Sequence, residues 1–269
     1  LLMSPPLRGK RVLALDPGFA HGCKTAVVDA TGEVLATATV YPHPPRQQTD
    51  RARQTLTDLS RRHRVDVIAV GDGTAHRESM AFLERTKWPN PVEVEAVREA
   101  GASVYSASPV AREELPDMDV SLRGAVSIGR RFQDPLAELV KIDPKALGVG
   151  QYQHDVDQTL LARGLDAVVE ECVNRVGVEL NTASPALLAH VAGIGPTSAR
   201  AIVEHRGARG AFSKRSDILK VAGIGRTRFV QCAGFLRIPE GPEPLDRTGV
   251  HPENYSAVRI AAKRVGATV

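Results

Sequence analysis

Apolar residues along this chain change their spacing at a few points, and those changes divide it into segments. Arg11 to Asp16 (RVLALD) is short and almost wholly apolar, as in a strand buried on both faces, and Cys23 to Asp29 (CKTAVVD) repeats the pattern. Ala30-Thr31-Gly32-Glu33 predicts a tight turn into a third strand, Val34 to Tyr41, completing an antiparallel meander. A helix is expected from about Gln47 to His63, with Leu56 and Leu59 among its apolar positions, then a short strand from Val65 to Val70 that ends in Gly71-Asp72-Gly73-Thr74. A second helix from about Ala75 to Lys87, a strand from Val92 to Val97 and helical spacing from Ala102 onward come next. A meander succeeded by alternating helix and strand predicts a mixed sheet covered by helices.

The spacing then lengthens. Leu160, Leu161, Leu165, Val168, Val169, Cys172, Val173 and Val176 recur at three- and four-residue steps, which predicts one long amphipathic helix between Val156 and Val178. Its expected role is to fix the C-terminal part of the chain against the sheet. Ser184 can cap the next helix and Pro185 suits its first turn. Beyond it Val191-Ala192-Gly193-Ile194-Gly195 is repeated thirty residues later as Val221-Ala222-Gly223-Ile224-Gly225. Each copy stands between helical patterns, with Leu187, Leu188 and Val191 before the first and Ala199, Ile202 and Val203 after it. Ile218, Leu219 and Val221 precede the second, and Phe229, Val230 and Ala233 succeed it.

A single such turn serves equally well as a plain interhelical connection. Two in register point to chemistry. Glycines let the chain reverse within a few residues and bring bare N–H groups close to an anion. The helix that starts there offers unpaired N–H groups and the positive end of its dipole to a phosphate oxygen. Between Ser184 and Glu240 nine basic residues (Arg200, Arg206, Arg209, Lys214, Arg215, Lys220, Arg226, Arg228, Arg237) face three acids, +6 of a whole-chain net charge of +4. The rest of the chain is therefore slightly acidic, and the basic block supplies salt-sensitive, sequence-independent affinity for nucleic acid. The repeat resembles a tandem helix-hairpin-helix motif, whose expected contacts are Gly193, Ile194, Gly195, Thr197, Arg200, Gly223, Ile224, Gly225, Arg226 and Arg228.

Bulk composition narrows the class. At 269 residues, 42% hydrophobic and 25% charged, the chain has room for two domains with proper cores. No apolar stretch approaches a membrane span and the N-terminus lacks the apolar core of a signal peptide, so a membrane partner is not expected. Met3 after two leucines suggests a piece of a longer chain. Cys23, Cys172 and Cys232 are odd in number and far apart, fitting neither a disulfide framework nor a zinc site, which suggests a reducing cytoplasm. Aromatic content is only 4%, so a base-stacking groove is not expected.

Carboxylates gather at the predicted strand ends. Asp16 closes the first strand, Asp72 the fourth, Glu99 comes after the fifth, and Asp117 and Asp119 precede Leu122-Arg123-Gly124-Ala125. Functional groups of such sheets collect beyond the carboxyl ends of strands. Converging carboxylates repel unless a cation neutralises them, as in a magnesium or manganese site for phosphodiester hydrolysis. Taken singly, Asp16 and Asp72 also suit turns and Asp119 suits a helix cap; Glu99 has no such turn chemistry. The histidines show no ligand spacing.

Leu15-Asp16-Pro17-Gly18, Ala26 to Gly32 and Gly71-Asp72-Gly73-Thr74 resemble the YqgF-type RNase H-like domain of the Tex family of bacterial transcription accessory proteins. The resemblance continues through Glu99 to Ser106, Val120 to Ile128, Gln133 to Ile142 and Gly148 to Val156. It implies an α/β RNase H-like mixed sheet over residues 9–135, a helical connector over 136–183, an all-α tandem hairpin domain over 184–240 and the start of a further helical region over 241–269. Tex proteins are similar to the eukaryotic elongation factor Spt-six, bind nucleic acid in association with transcription, and also carry an N-terminal helical region and a C-terminal S1 domain. Similarity to RNase H and RuvC-type nucleases implies Asp16, Glu99 and Asp119 as catalytic and metal positions, with Asp72 where RuvC-type enzymes place a carboxylate. The segment around Asp119 departs from the nuclease pattern.

The expected function is therefore a monomeric, cytoplasmic nucleic-acid-binding core of a transcription accessory protein. Its hairpins grip RNA or DNA backbone, its RNase H-like domain is non-catalytic, and no cofactor is firmly implied, magnesium or manganese being the candidates. Two alternatives stand beside it: a magnesium- or manganese-dependent nuclease or junction resolvase of RNase H/RuvC type, and a platform for RNA polymerase.

Overall fold

A computed structural model describes residues 2–4, 6–7 and 9–267. The chain divides into two compact units, one reaching Val156 and one starting at Asp157.

The first unit is built on five strands: β1 (Val12–Asp16), β2 (Cys23–Val28), β3 (Val34–Val40), β4 (Val67–Gly71) and β5 (Glu93–Val97). Their order is β3-β2-β1-β4-β5, with β2 antiparallel to β1 and β3, and β4 parallel to β1 and β5. The meander closes through Asp29, whose carboxylate accepts from the Thr31 and Glu33 amides at 2.8 and 3.0 Å. Helices α1 (Thr49–His63) and α2 (His76–Glu84) separate β3, β4 and β5. The helical spacing from Ala102 resolves into α3 (Ala102–Ala107), α4 (Pro109–Glu114), α5 (Val120–Gln133) and α6 (Pro135–Leu139).

Both faces of the sheet are covered, so β1 is apolar without alternation. Its side chains still alternate in direction. Leu13 and Leu15 pack with Leu56, Phe82 and Leu83 of α1 and α2, whereas Val12 and Ala14 pack with Ala125, Val126 and Ile128 of α5. Asp16 continues the second series and so emerges on the α5 face. Room for it comes from Gly124: a Cβ there would stand 2.8 Å from Asp16 Oδ2.

The second unit opens with α7 (Gln158–Val176), capped by Asp157. Within this helix only Val169 and Val173 are buried, and Leu160, Val168 and Val176 are exposed. Next come β6 (Val178–Glu179), α8 (Pro185–Leu188), α9 (Pro196–Arg209), a 3-10 helix over Arg215–Lys220, α10 (Arg226–Cys232) and β7 (Leu236–Arg237). Strand β7 pairs parallel to β6 and brings the two ends of the repeated segment together. The helical arm expected before the second glycine turn is 3-10, and its three-residue period turns Arg215, Ile218 and Val221 inward while Leu219 is exposed. Helix α11 (Tyr255–Arg264) ends the described chain.

Candidate nucleic-acid interface

The four sequence-selected carboxylates do not form one cluster. Asp72 comes directly after β4, and its Oδ1 accepts from the Glu99 amide at 2.9 Å, tying the segment after β5 to the end of β4. Glu99 folds back over Gly71 and Gly73, where a side chain of any size would collide with its carboxylate. Burial, then the charge of Glu99, pushes the Asp16 carboxyl up to about 6; nearby Lys24 opposes the shift. Glu99 is also raised, first by burial and then by the Asp72 charge, against a Gly73 N–H and the charges of Arg131 and His76.

Asp119 is occupied elsewhere. It caps α5, accepting from the Ser121 amide and hydroxyl at 2.8 and 2.6 Å, and these bonds hold its carboxyl below the usual range. Among the described residues no group of three or more His, Cys, Asp or Glu could hold a metal ion. Among the described residues Asp16, Glu99 and Asp119 are thus not gathered into one set of ligands. A hard divalent cation wants several oxygen ligands. Here two carboxylates are flanked instead by protein cations, Lys24 across the β1–β2 pair and the buried Arg131, whose Nη1 donates to the Arg98 and Ala100 carbonyls at 2.9 and 2.7 Å. Lys24 was legible from the meander, being opposite Asp16 in register; Arg131, thirty-two residues beyond Glu99, carried no signal.

The two glycine turns, by contrast, are near copies. Gly193 and Gly223 have φ of 80° and 81°, in the left-handed region where a side chain is strained. Gly195 and Gly225 cap α9 and α10 with φ,ψ of −89°,174° and −90°,178°. The Ile194 and Ile224 amides donate to the Val191 and Val221 carbonyls at 2.9 and 3.1 Å. Both isoleucine side chains are buried at 3% and 4% exposure, so neither can reach a ligand and each pins its turn to the core.

Neither helix start has a side-chain cap, unlike α4, α5, α6, α7 and α8, whose first amides are held by Ser108, Asp119, Asp134, Asp157 and Ser184. Helices α1, α2, α3 and α11 also start without such a cap, and because Pro196 has no N–H the first turn of α9 offers the amides of Thr197 and Ser198. A Cβ built at Gly195 or Gly225 meets nothing within 4 Å. Thr197, Arg200, Arg226 and Arg228 are exposed around them.

Three of the nine basic residues are partly or wholly buried in the unit. Arg206 donates to the Leu180 carbonyl at 2.9 Å. Arg237 donates to the Gly234 and Leu236 carbonyls, and burial lowers it to about 10. Arg215, 1% exposed, bonds the carbonyls of Leu245, Asp246, Thr248 and Val250 and pairs with Asp246. Sequence patterns also gave no hint of Asn174 of α7, whose Oδ1 accepts from the Ala192 amide at 3.0 Å and whose Nδ2 donates to the His190 carbonyl at 3.3 Å. It braces the first turn from outside the repeat.

The Tex protein YqgF-like domain matches residues 10–133, the helix-hairpin-helix motif matches 173–237 and a further HHH domain matches 243–269. Protein tex of Bordetella pertussis is 56% identical over 272 residues, covering 100% of this chain and 34% of that protein. The transcriptional accessory protein Tex of Neisseria gonorrhoeae is 52% identical over 271 residues, covering 100% and 35%. The chain thus spans about a third of the length of these relatives. The solved RuvC of Thermus thermophilus aligns with a TM-score of 0.33 at 16% identity, over 44% of this chain and 90% of that one. Among the described residues no helix is long and apolar enough to cross a membrane.

Proposed function

We propose, from the premise that this chain belongs to the Tex family through its YqgF-like and helix-hairpin-helix domains, that its second unit grips nucleic-acid backbone phosphate without reading bases. The observation that carries this reading is the emptiness around Gly195 and Gly225. Both have ordinary φ values and no neighbour within 4 Å, so the fold itself would accept a side chain there. What glycine supplies is open access to uncapped helix starts, where phosphate oxygens find N–H donors and a favourable dipole. Arg200 and Arg226 beside the turns add charge attraction without base discrimination.

The ligand is RNA or DNA met during transcription, a setting taken from the name of the Neisseria relative, a transcriptional accessory protein. In this reading the first unit is a scaffold and does not cut: Asp16 and Glu99 keep company with Lys24 and Arg131, and Asp72 is engaged with the Glu99 amide. The test is fluorescence anisotropy with labelled single- and double-stranded RNA and DNA against the wild-type chain and Gly195→Glu plus Gly225→Glu. Affinity should fall at least about tenfold, a carboxylate at each helix start repelling phosphate. Unchanged affinity in a folded variant refutes the hairpin reading. Cleavage of the same probes with magnesium or manganese, lost in Asp16→Asn, would refute the scaffold reading in favour of a metal-dependent nuclease or junction resolvase.

A further inference from the structure

Arg228 was expected to touch nucleic acid, yet its guanidinium is engaged within the unit. Its Nη1 donates to the Ser198 hydroxyl at 2.8 Å and to the Gly223 carbonyl at 2.8 Å. Ser198 belongs to the first turn of α9 and Gly223 to the second glycine turn, so a single group joins one hairpin to the other. The contact is matched from the opposite direction. A Cβ on Gly193 would stand 2.8 Å from Gln231 Cβ and 3.4 Å from the Arg228 carbonyl oxygen, so the first turn abuts α10 closely. The stretch Arg228–Gln231 is therefore in touch with both turns.

We infer that Arg228 is a positioning residue: it sets the spacing of the two phosphate-facing turns so that they engage one duplex as a unit. The inference rests on the hairpin reading above. Each turn by itself offers a few N–H groups, a weak site. Both turns lie on one chain, so the second engagement is intramolecular in any case, and a fixed separation raises its effective concentration with no new contact to the ligand. A guanidinium bonded to a hydroxyl and a carbonyl is suited to this work, because its planar donors lose little freedom on binding. Ser198 is 5% exposed and has no route to a ligand, so it reports on the strut alone.

The experiment compares the wild-type chain, Ser198→Ala and Arg228→Lys by anisotropy on a duplex of about two helical turns, each with both turns intact and in a Gly225→Glu background, where only one turn is left to engage. Ser198→Ala, which removes no charge, should weaken binding roughly three- to tenfold with both turns intact and leave the residual binding of the Gly225→Glu background nearly unchanged. Arg228→Lys, which keeps the charge but not the planar fork, should behave likewise. Wild-type affinity of Ser198→Ala with both turns intact would overturn the inference and return Arg228 to the phosphate ligands. Equal fold losses in both backgrounds would also overturn it, as a local defect in α9. The paired glutamate variant is run alongside: if it binds normally, the hairpin reading itself has failed, whereas loss there with a silent Ser198→Ala removes only the strut.

Discussion

Asp16→Asn should make the protein more stable at neutral pH. In the folded chain this carboxyl stands at about 6 against an ordinary 3.8, because burial and the Glu99 charge both penalise its ionised form. The folded state therefore holds the proton more tightly than the unfolded state, so stability falls as pH rises from about 4 to about 6 and stays reduced above that. At about 1.4 kcal/mol per factor of ten in proton affinity, the displacement corresponds to about 3 kcal/mol. Asparagine has the same shape and no charge, and it removes the repulsion felt by Glu99. Lys24 loses a neighbouring anion, which offsets part of the gain, leaving about 1–3 kcal/mol. Thermal unfolding of both proteins at pH 7 and pH 4 tests this. The variant should melt several degrees higher at pH 7 and no higher at pH 4, where wild-type Asp16 is already protonated. An equal gain at both pH values, or a loss at pH 7, would refute the electrostatic account. A gain confined to neutral pH would mark Asp16 as a residue the fold tolerates rather than needs.

The repeated glycines should part company when substituted. Gly193→Ala meets both a left-handed φ and a collision with Gln231, and should cost about 2–4 kcal/mol in urea unfolding, whereas Gly223→Ala, with free space around it, should cost about 1–2 kcal/mol from backbone strain alone. Arg215→Met takes from buried Asp246 its paired cation, leaving it the residue-215 amide and the Tyr255 hydroxyl, and empties four carbonyl acceptors, so denaturant unfolding should report a loss of about 3–5 kcal/mol. Arg226→Ala should weaken nucleic-acid binding alike across base sequences and lower the slope of log affinity against log salt by about 1; a change that depended on base sequence would contradict backbone recognition.

Local spacing by itself was enough to determine the five strands of the sheet and helices α1, α2 and α7, though not the 3-10 arm or the short β6–β7 pair. The unbroken apolar run of β1, the Asp29 turn, the Ser184 cap with Pro185 and the duplicated glycine turns are decided by neighbours a few residues apart, and such interactions can be read along a chain. The same logic recovered the strand-end carboxylates but not their use. Whether Asp119 meets Asp16 or caps α5 depends on where α5 lies against the sheet, and there the hydrogen bonds to Ser121 win. Charge content was legible at once, whereas its availability was not: Arg206 and Arg215 look like Arg200 and Arg226 in sequence and differ in the distant carbonyls that take up their guanidinium groups, while Arg237 is half-buried on the nearby carbonyls of Gly234 and Leu236. Ser198, Gln231 and Asn174 gave no sign of bracing the turns, because the partners of Ser198 and Gln231 lie in the other hairpin and that of Asn174 lies across from α7. Short-range backbone chemistry thus determined what each segment is, and long-range packing decided which polar groups remain free to act, since an acceptor brought close by folding competes for a donor as effectively as any ligand.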